Sequence, residues 1–264
     1  MRKIINIFFI FVLFFSTSVY AFDRKGFSPT SPYSVFSTFS AETPKQNQLA
    51  TDFSFEFATD PDIKRLNLNI SYGLTNRLEV IANLPYNLSY QNSKNKNGSE
   101  DLNLGFKHRL LDETRYLPAF AYLLYLSGDL GKEEFSTQGG FGGGIIVTKK
   151  LGPVTAHGNL IYFNPFKKGF KDTWSLNLSS ELKVSYNSAV LFEIIGRKAI
   201  DKDKIELIEW RVGYRIKVTD ISYTTVGVGF DIKNRSPDAR FLFGVSVILP
   251  KEKRKLKKVV EDVH

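Results

Sequence analysis

The stretch YGLTNRLEVIANLPYNL, residues 72–88, decides the fold. After the turn-like GLTN, apolar or aromatic residues take every second position (Leu78, Val80, Ala82, Leu84, Tyr86, Leu88), and mainly polar residues stand between them (Arg77, Glu79, Asn83, Asn87). A period of two marks a β-strand with two unlike faces. Which face meets water separates a soluble β protein from a membrane barrel.

The same alternation runs outward in both directions. Phe53, Phe55 and Phe57 alternate with Ser54 and Glu56, and Leu66, Leu68, Ile70 and Tyr72 with Asn67, Asn69 and Ser71. Leu102, Leu104 and Phe106 alternate with Asp101, Asn103, Lys107 and Arg109. Further strands are expected over 117–126, 140–148, 154–162, 174–183, 189–195, 207–216, 221–232 and 240–249. With the first stretch this makes twelve strands of about ten residues, the length a tilted strand needs to cross a bilayer. Connections alternate between tight turns (GLTN, DETR, KKLGP, SYNS, KVTD) and longer polar loops (ATDPDIK, SYQNSKNKNGSE, SGDLGKEEFST, NPFKKGFKD, RKAIDKDK, KNRSPDA). Short turns at one end and long loops at the other are the asymmetry of outer-membrane barrels, whose turns lie in the periplasm.

The flanks have other compositions. MRKIINIFFIFVLFFSTSVYA opens with Arg2 and Lys3, continues through a short apolar run and ends in small or polar residues, so residues 1–21 read as a secretory signal. Residues 22–48 are rich in Ser, Thr and Pro without sustained period and read as an irregular periplasmic leader or lumen plug. The barrel then spans 49–250, and 251–264 form a basic periplasmic tail. There is no cysteine, so an oxidising compartment would supply no disulfide. Beyond the signal, the longest apolar run, AFAYLLYL at 119–126, is far too short for a membrane-spanning helix. Aromatic residues make up 14% of the chain, while the mean hydropathy is only −0.17, a combination that fits alternating strands. The net charge of +9 comes partly from the signal and tail, and an exported chain has little occasion to meet nucleic acid, so no nucleic-acid partner is expected.

The fold class expected is therefore all-β: an antiparallel transmembrane β-barrel of about twelve strands in the outer membrane of a Gram-negative bacterium, with outer-membrane lipid, the barrel-assembly machinery and small-molecule solutes as partners. Leu78, Val80, Ala82 and Leu84 then face lipid, and an aromatic girdle is expected from Tyr72, Tyr86, Tyr125, Tyr162, Trp174 and Tyr214. The polar faces line the lumen, with Glu79, Asn83, Asp101, Asn103, Lys107, Arg109, His157, Glu181, Lys183, Glu209, Arg211 and Arg215 as the candidate pore-lining residues. Both signs are present, so no strong ion preference is expected.

Two strings carry a resemblance. YGLTNRLEVIANLPY, followed by SEDLNLGFKHRLL at 99–111, resembles the recurring motifs of the outer-membrane family labelled "MetA-pathway of phenol degradation". The specific match covers about a fifth of the chain, as a motif match. The resemblance implies a channel or transporter passing small molecules, hydrophobic or aromatic ones among them; it supplies no binding residues. Barrels of this kind usually end on an aromatic residue, whereas the last strand here stops at Ile248, Leu249 and Pro250.

Catalysis, cofactors and metals find no constellation. The histidines are His108 on an expected lipid-facing position, His157 facing the lumen and the terminal His264. Gly158 and Asn159 follow His157, so the spacing that would set a serine beside it on one face is absent. No cysteine and scattered histidines give no transition-metal ligand set. The alternatives to a channel are an outer-membrane lipid-modifying enzyme and a structural barrel without transport. GGFGGG at 139–144 lies within a strand and lacks the lysine of a phosphate loop. Its inward glycines, Gly140, Gly142 and Gly144, read either as a bend in the wall or as a gap left for a ligand or for the leader.

Overall fold

The computed structural model describes residues 26–250 apart from 93, 202–204 and 233–236. The expected signal at 1–21 and the basic tail at 251–264 lie outside the described residues. Two short strands come first, β1 (Ser34–Val35) and β2 (Thr38–Phe39), paired as a hairpin. There follow β3 (Leu49–Thr59), β4 (Asp62–Gly73), β5 (Leu78–Asn92), β6 (Lys94–Ser99), β7 (Leu102–Leu111), β8 (Ala119–Gly128), β9 (Gly140–Leu151) and β10 (Val154–Pro165). The chain is completed by β11 (Thr173–Ser185), β12 (Ser188–Ala199), β13 (Leu207–Lys217), β14 (Ser222–Asp231) and β15 (Ala239–Leu249).

Each long strand pairs antiparallel with its sequence neighbours, and β15 pairs with β3 from Ala239↔Thr59 to Leu249↔Leu49. That last ladder closes twelve strands into a barrel, so no strand edge is left to meet lipid. The thirteenth strand of the sheet, β6, folds back on the far end of β5 outside the closed wall. SYQNSKNKNGSE, expected as a loop, is thus largely a projecting hairpin, because its polar residues satisfy their backbone by pairing with one another.

The outward face is apolar all round. Phe53, Val80, Leu84, Leu104, Leu124, Ile145, Leu178, Phe241 and Phe243 are all exposed, a continuous belt far larger than a water-facing surface tolerates. Tyr72, Tyr86, Trp174 and Tyr214 are exposed on the outward side too. Tyr125 is a correction: it points inward and is 6% exposed. On β8 the inward positions are Ala119, Ala121, Leu123 and Tyr125, so AFAYLLYL has two apolar faces and alternation alone cannot orient it.

The inward face is filled. Residues 27–41, from the stretch expected to be irregular, run through the lumen carrying the β1–β2 hairpin, and Val35, Thr38, Phe39 and Ala41 are fully buried there. From the long-loop end, the 129–139 segment folds in as well: Phe135 packs with Ala58, Ile63 and Tyr90, and Lys167 Nζ donates to the carbonyls of Glu133 and Ser136 at 2.8 and 3.1 Å.

Candidate functional site

The site is the lumen, and it has an upper and a lower half. In the long-loop half a chain of alternating charges crosses the wall from the β6–β7 connection to β12. Glu100 lies 2.7 Å from Arg65 Nε, and Arg65 Nη1 lies 3.3 Å from Glu56. Glu56 also pairs with Arg240, whose Nε donates to Glu209 at 3.0 Å. Glu209 accepts from Arg211 Nε at 2.6 Å, and Arg211 Nη1 reaches Glu193 at 3.3 Å. Every member is at least nine-tenths buried, so each charge depends on its neighbours for the stabilisation that water would otherwise give. Asn87 joins the start of the chain, accepting from Arg65 and donating to Glu100.

Of the expected pore-lining residues, Glu209 and Arg211 belong to this chain, whereas Glu56, Arg65, Glu193 and Arg240 are absent from that set. Their signal is the same alternation: Glu56 stands between Phe55 and Phe57, and Glu193 between Phe192 and Ile194. A second row runs along β7, β5 and β4. Asn103 donates to Asn83 at 3.2 Å, Asn83 to Asn69 at 2.5 Å, and Asn69 to Asp52 at 3.5 Å. Asp101 holds the inward loop, accepting from the Thr137 N–H and hydroxyl at 2.7 Å each.

The lower half holds the leader. Asn159 grips Phe39 on both sides, accepting from its N–H at 2.6 Å and donating to its carbonyl at 2.9 Å, as a neighbouring strand would. Glu193 accepts from the Ser37 N–H and the Thr38 hydroxyl at 2.9 and 2.7 Å. Arg215 donates to the carbonyls of Pro32 and Ser34 while paired to Glu181 at 3.0 Å. Lys107 Nζ, 2.6 Å from Glu79, donates to the carbonyls of Ser40 and Glu42. The Ala41 N–H donates to Thr148, whose hydroxyl is 2.9 Å from His157 Nδ1; His157 thus sits in the leader's attachment. Arg109 donates to the Asn76 carbonyl at the short-turn end, and Lys183 lies exposed at the same rim. Among the described residues, no group of three or more His, Asp or Glu could hold a metal ion.

Two glycine sets make room. Phe36, at the hairpin tip, lies on Gly213 and Gly227, where an added Cβ would come within 2.6 Å of its ring. On β9 the inward glycines of GGFGGG give their space to rings of the adjoining strands: Gly142 faces Tyr125 and Gly140 faces Phe163. β9 pairs in unbroken register with β8 and β10, so this stretch is not a bulge. Tyr125 stacks on Phe163 with centroids 5.8 Å apart and on leader Phe27 at 4.7 Å. Between leader and inward loop lies a cavity of about 110 Å³. Phe27, Tyr125 and Phe163 form one wall of it, and Arg65, Glu56, Arg240 and Arg211 the other.

Comparison with solved structures places this geometry among outer-membrane barrels. The COG4313 outer-membrane channel from Pseudomonas putida F1 superposes with a TM-score of 0.61 at 15% identity, over 79% of this chain and 97% of that one. The KdgM porin superposes with a TM-score of 0.56 at 11% identity, over 75% and 98%, and a second structure of it is in complex with disordered oligogalacturonate. Both likenesses concern the fold: a closed barrel of the outer-membrane type. No family model matches the chain, and no curated protein matches it in sequence.

Proposed function

We propose that this protein is an outer-membrane channel for the passive passage of small molecules, with its long loops outward and its short turns in the periplasm. The observation that carries the reading is the lumen. It is lined by buried charges of both signs, and nothing in the lipid-facing surface requires them. The 110 Å³ cavity pairs an aromatic wall with a wall of arginines and glutamates, which suits a small planar solute bearing a polar group. Aromatic solutes are also what the MetA-pathway resemblance implies. The signal at 1–21 and the assembly machinery are the export route this reading requires.

The filled lumen favours one other reading, a structural barrel without transport. Reconstitution separates the two. Heat-modifiable protein that swells proteoliposomes in a graded series of solutes supports the channel, with aromatic acids entering faster than aliphatic ones of equal size. A heat-modifiable barrel that admits no solute and passes no ion leaves the structural role.

A further inference from the structure

The leader is fastened to one side of the barrel. Its hydrogen bonds described above run to β7, β9, β10, β12 and β13, and its apolar residues pack on Ala121, Leu123, Ile146 and Leu191. Toward β3, β4 and β15 the wall is mostly small and polar instead, and a second cavity of about 50 Å³ separates it from the leader. Asp52, Ser54, Asn69, Leu242 and Gly244 line its barrel side, with Arg215 beside them, and Ser31 its leader side. Ser31 is 8% exposed and its hydroxyl has no partner among the described residues. Two positions from Asn69 on either side along β4, the Asn67 amide and the Ser71 hydroxyl are also buried without a partner among the described residues. A buried polar group without a protein partner beside a void of this size, as Ser31 is, is where water resides. Arg211 borders this cavity and the upper one alike.

We infer that, with the leader seated, permeation follows this off-axis seam along β15, β3 and β4, passing water and small inorganic ions, and that the Arg211 guanidinium is the gate between its upper and lower chambers. The inference rests on the channel reading and adds a route to it. A void of 50 Å³ is too small for the organic solutes the upper cavity suits, so ions cross while the leader stays and larger solutes wait for its displacement. Arg211 is suited to gating because it holds Ser37 of the hairpin tip at 2.6 Å while anchored to Glu209 and Glu193.

The chain has no cysteine, so single cysteines report the route directly. Ser54→Cys in the full mature chain, in planar bilayers, is expected to lose at least half its current on addition of a small cationic methanethiosulfonate. Ala121→Cys, behind the leader, is expected to keep its current. Leu242→Ala, which enlarges the seam, is expected to raise current without reagent. If Ser54→Cys is unaffected, or Ala121→Cys responds equally, the route is wrong. A silent wild type with a conducting full-length Glu193→Gln overturns the seam but leaves the channel; silence in both overturns the channel reading itself.

Discussion

The two sides of the lumen are built differently. On β8–β12 the inward positions carry Ala121, Leu123, Ile146 and Leu191 with polar hooks, Thr148, Asn159 and Glu193, each bonded to the leader, while on β11 the Asn177 side-chain oxygen and the Ser179 hydroxyl are buried without a partner among the described residues. On the stretch of β3 and β4 beside the lower cavity they carry Asp52, Ser54, Asn67, Asn69 and Ser71, and among the described residues the Asn67 amide and the Ser71 hydroxyl have no partner. One side is for the most part a core that faces inward; the other is for the most part small and polar. The difference teaches that an inward strand face need not be a pore face. The leader turns half of the barrel interior into an ordinary protein core, stabilised by burial, and leaves the other half to water.

Removing the occupant is the largest perturbation available. Deletion of residues 27–41 uncovers the apolar half while leaving all twelve ladders intact, because the wall closes on itself through β3 and β15. Unit conductance is expected to rise several-fold, and heat-modifiability on gels checks that the barrel survives. An unchanged conductance would mean that the leader does not obstruct the path. A smaller displacement comes from Gly227→Leu. A Cβ at that position meets the Phe36 ring at 2.6 Å, while the nearest wall backbone atom, the Val212 carbonyl oxygen, is 3.1 Å away, so the hairpin tip must lift. Flickering, larger openings in single-channel records are expected, with strand content by circular dichroism unchanged.

Two asparagines sharpen the contrast. Asn159→Leu leaves the buried N–H and carbonyl of Phe39 without partners, at a cost of about 1–3 kcal/mol for each group. Asn67→Leu removes an amide that has no partner among the described residues, so it should leave the leader seated and unfolding unchanged. Limited proteolysis of the leader reads the difference: faster cleavage for Asn159→Leu, the wild-type rate for Asn67→Leu. Equal cleavage of both would erase the distinction between the two walls.

Much of this could be read from the sequence, and what could not has a physical cause. The alternation about Glu79 and Asn83 gives the strand and its inward face correctly, and it equally places Glu56, Arg65, Glu193 and Arg240 inside. Which charges meet is a matter of register: Arg240 and Glu56 are 184 residues apart and touch because β15 closes on β3. Tyr125 misleads because its strand is apolar on both sides, one toward lipid and one toward the leader. The leader is hardest to read, because its short strands are stabilised by hooks on distant strands and carry no period of their own.

The smallest expected effect lies where the leader leaves the barrel. Burial pushes the Glu42 carboxyl upward, but the hydrogen bond from Lys150 and the charges of Lys150 and Arg109 outweigh it and hold the group below its ordinary range. A depressed folded-state pKa means that the pair stabilises the seated leader above the ordinary carboxylate pKa, and that this is lost as pH falls through the depressed value. The Lys150–Glu42 contact of 2.5 Å is half exposed, so its contribution is at most about 1 kcal/mol. Glu42→Gln is expected to raise the leader's proteolysis rate slightly at neutral pH and to abolish the part of the acid-induced increase that belongs to this pair. If the variant keeps the whole acid response, the Glu42–Lys150 pair does not set the pH sensitivity of the leader.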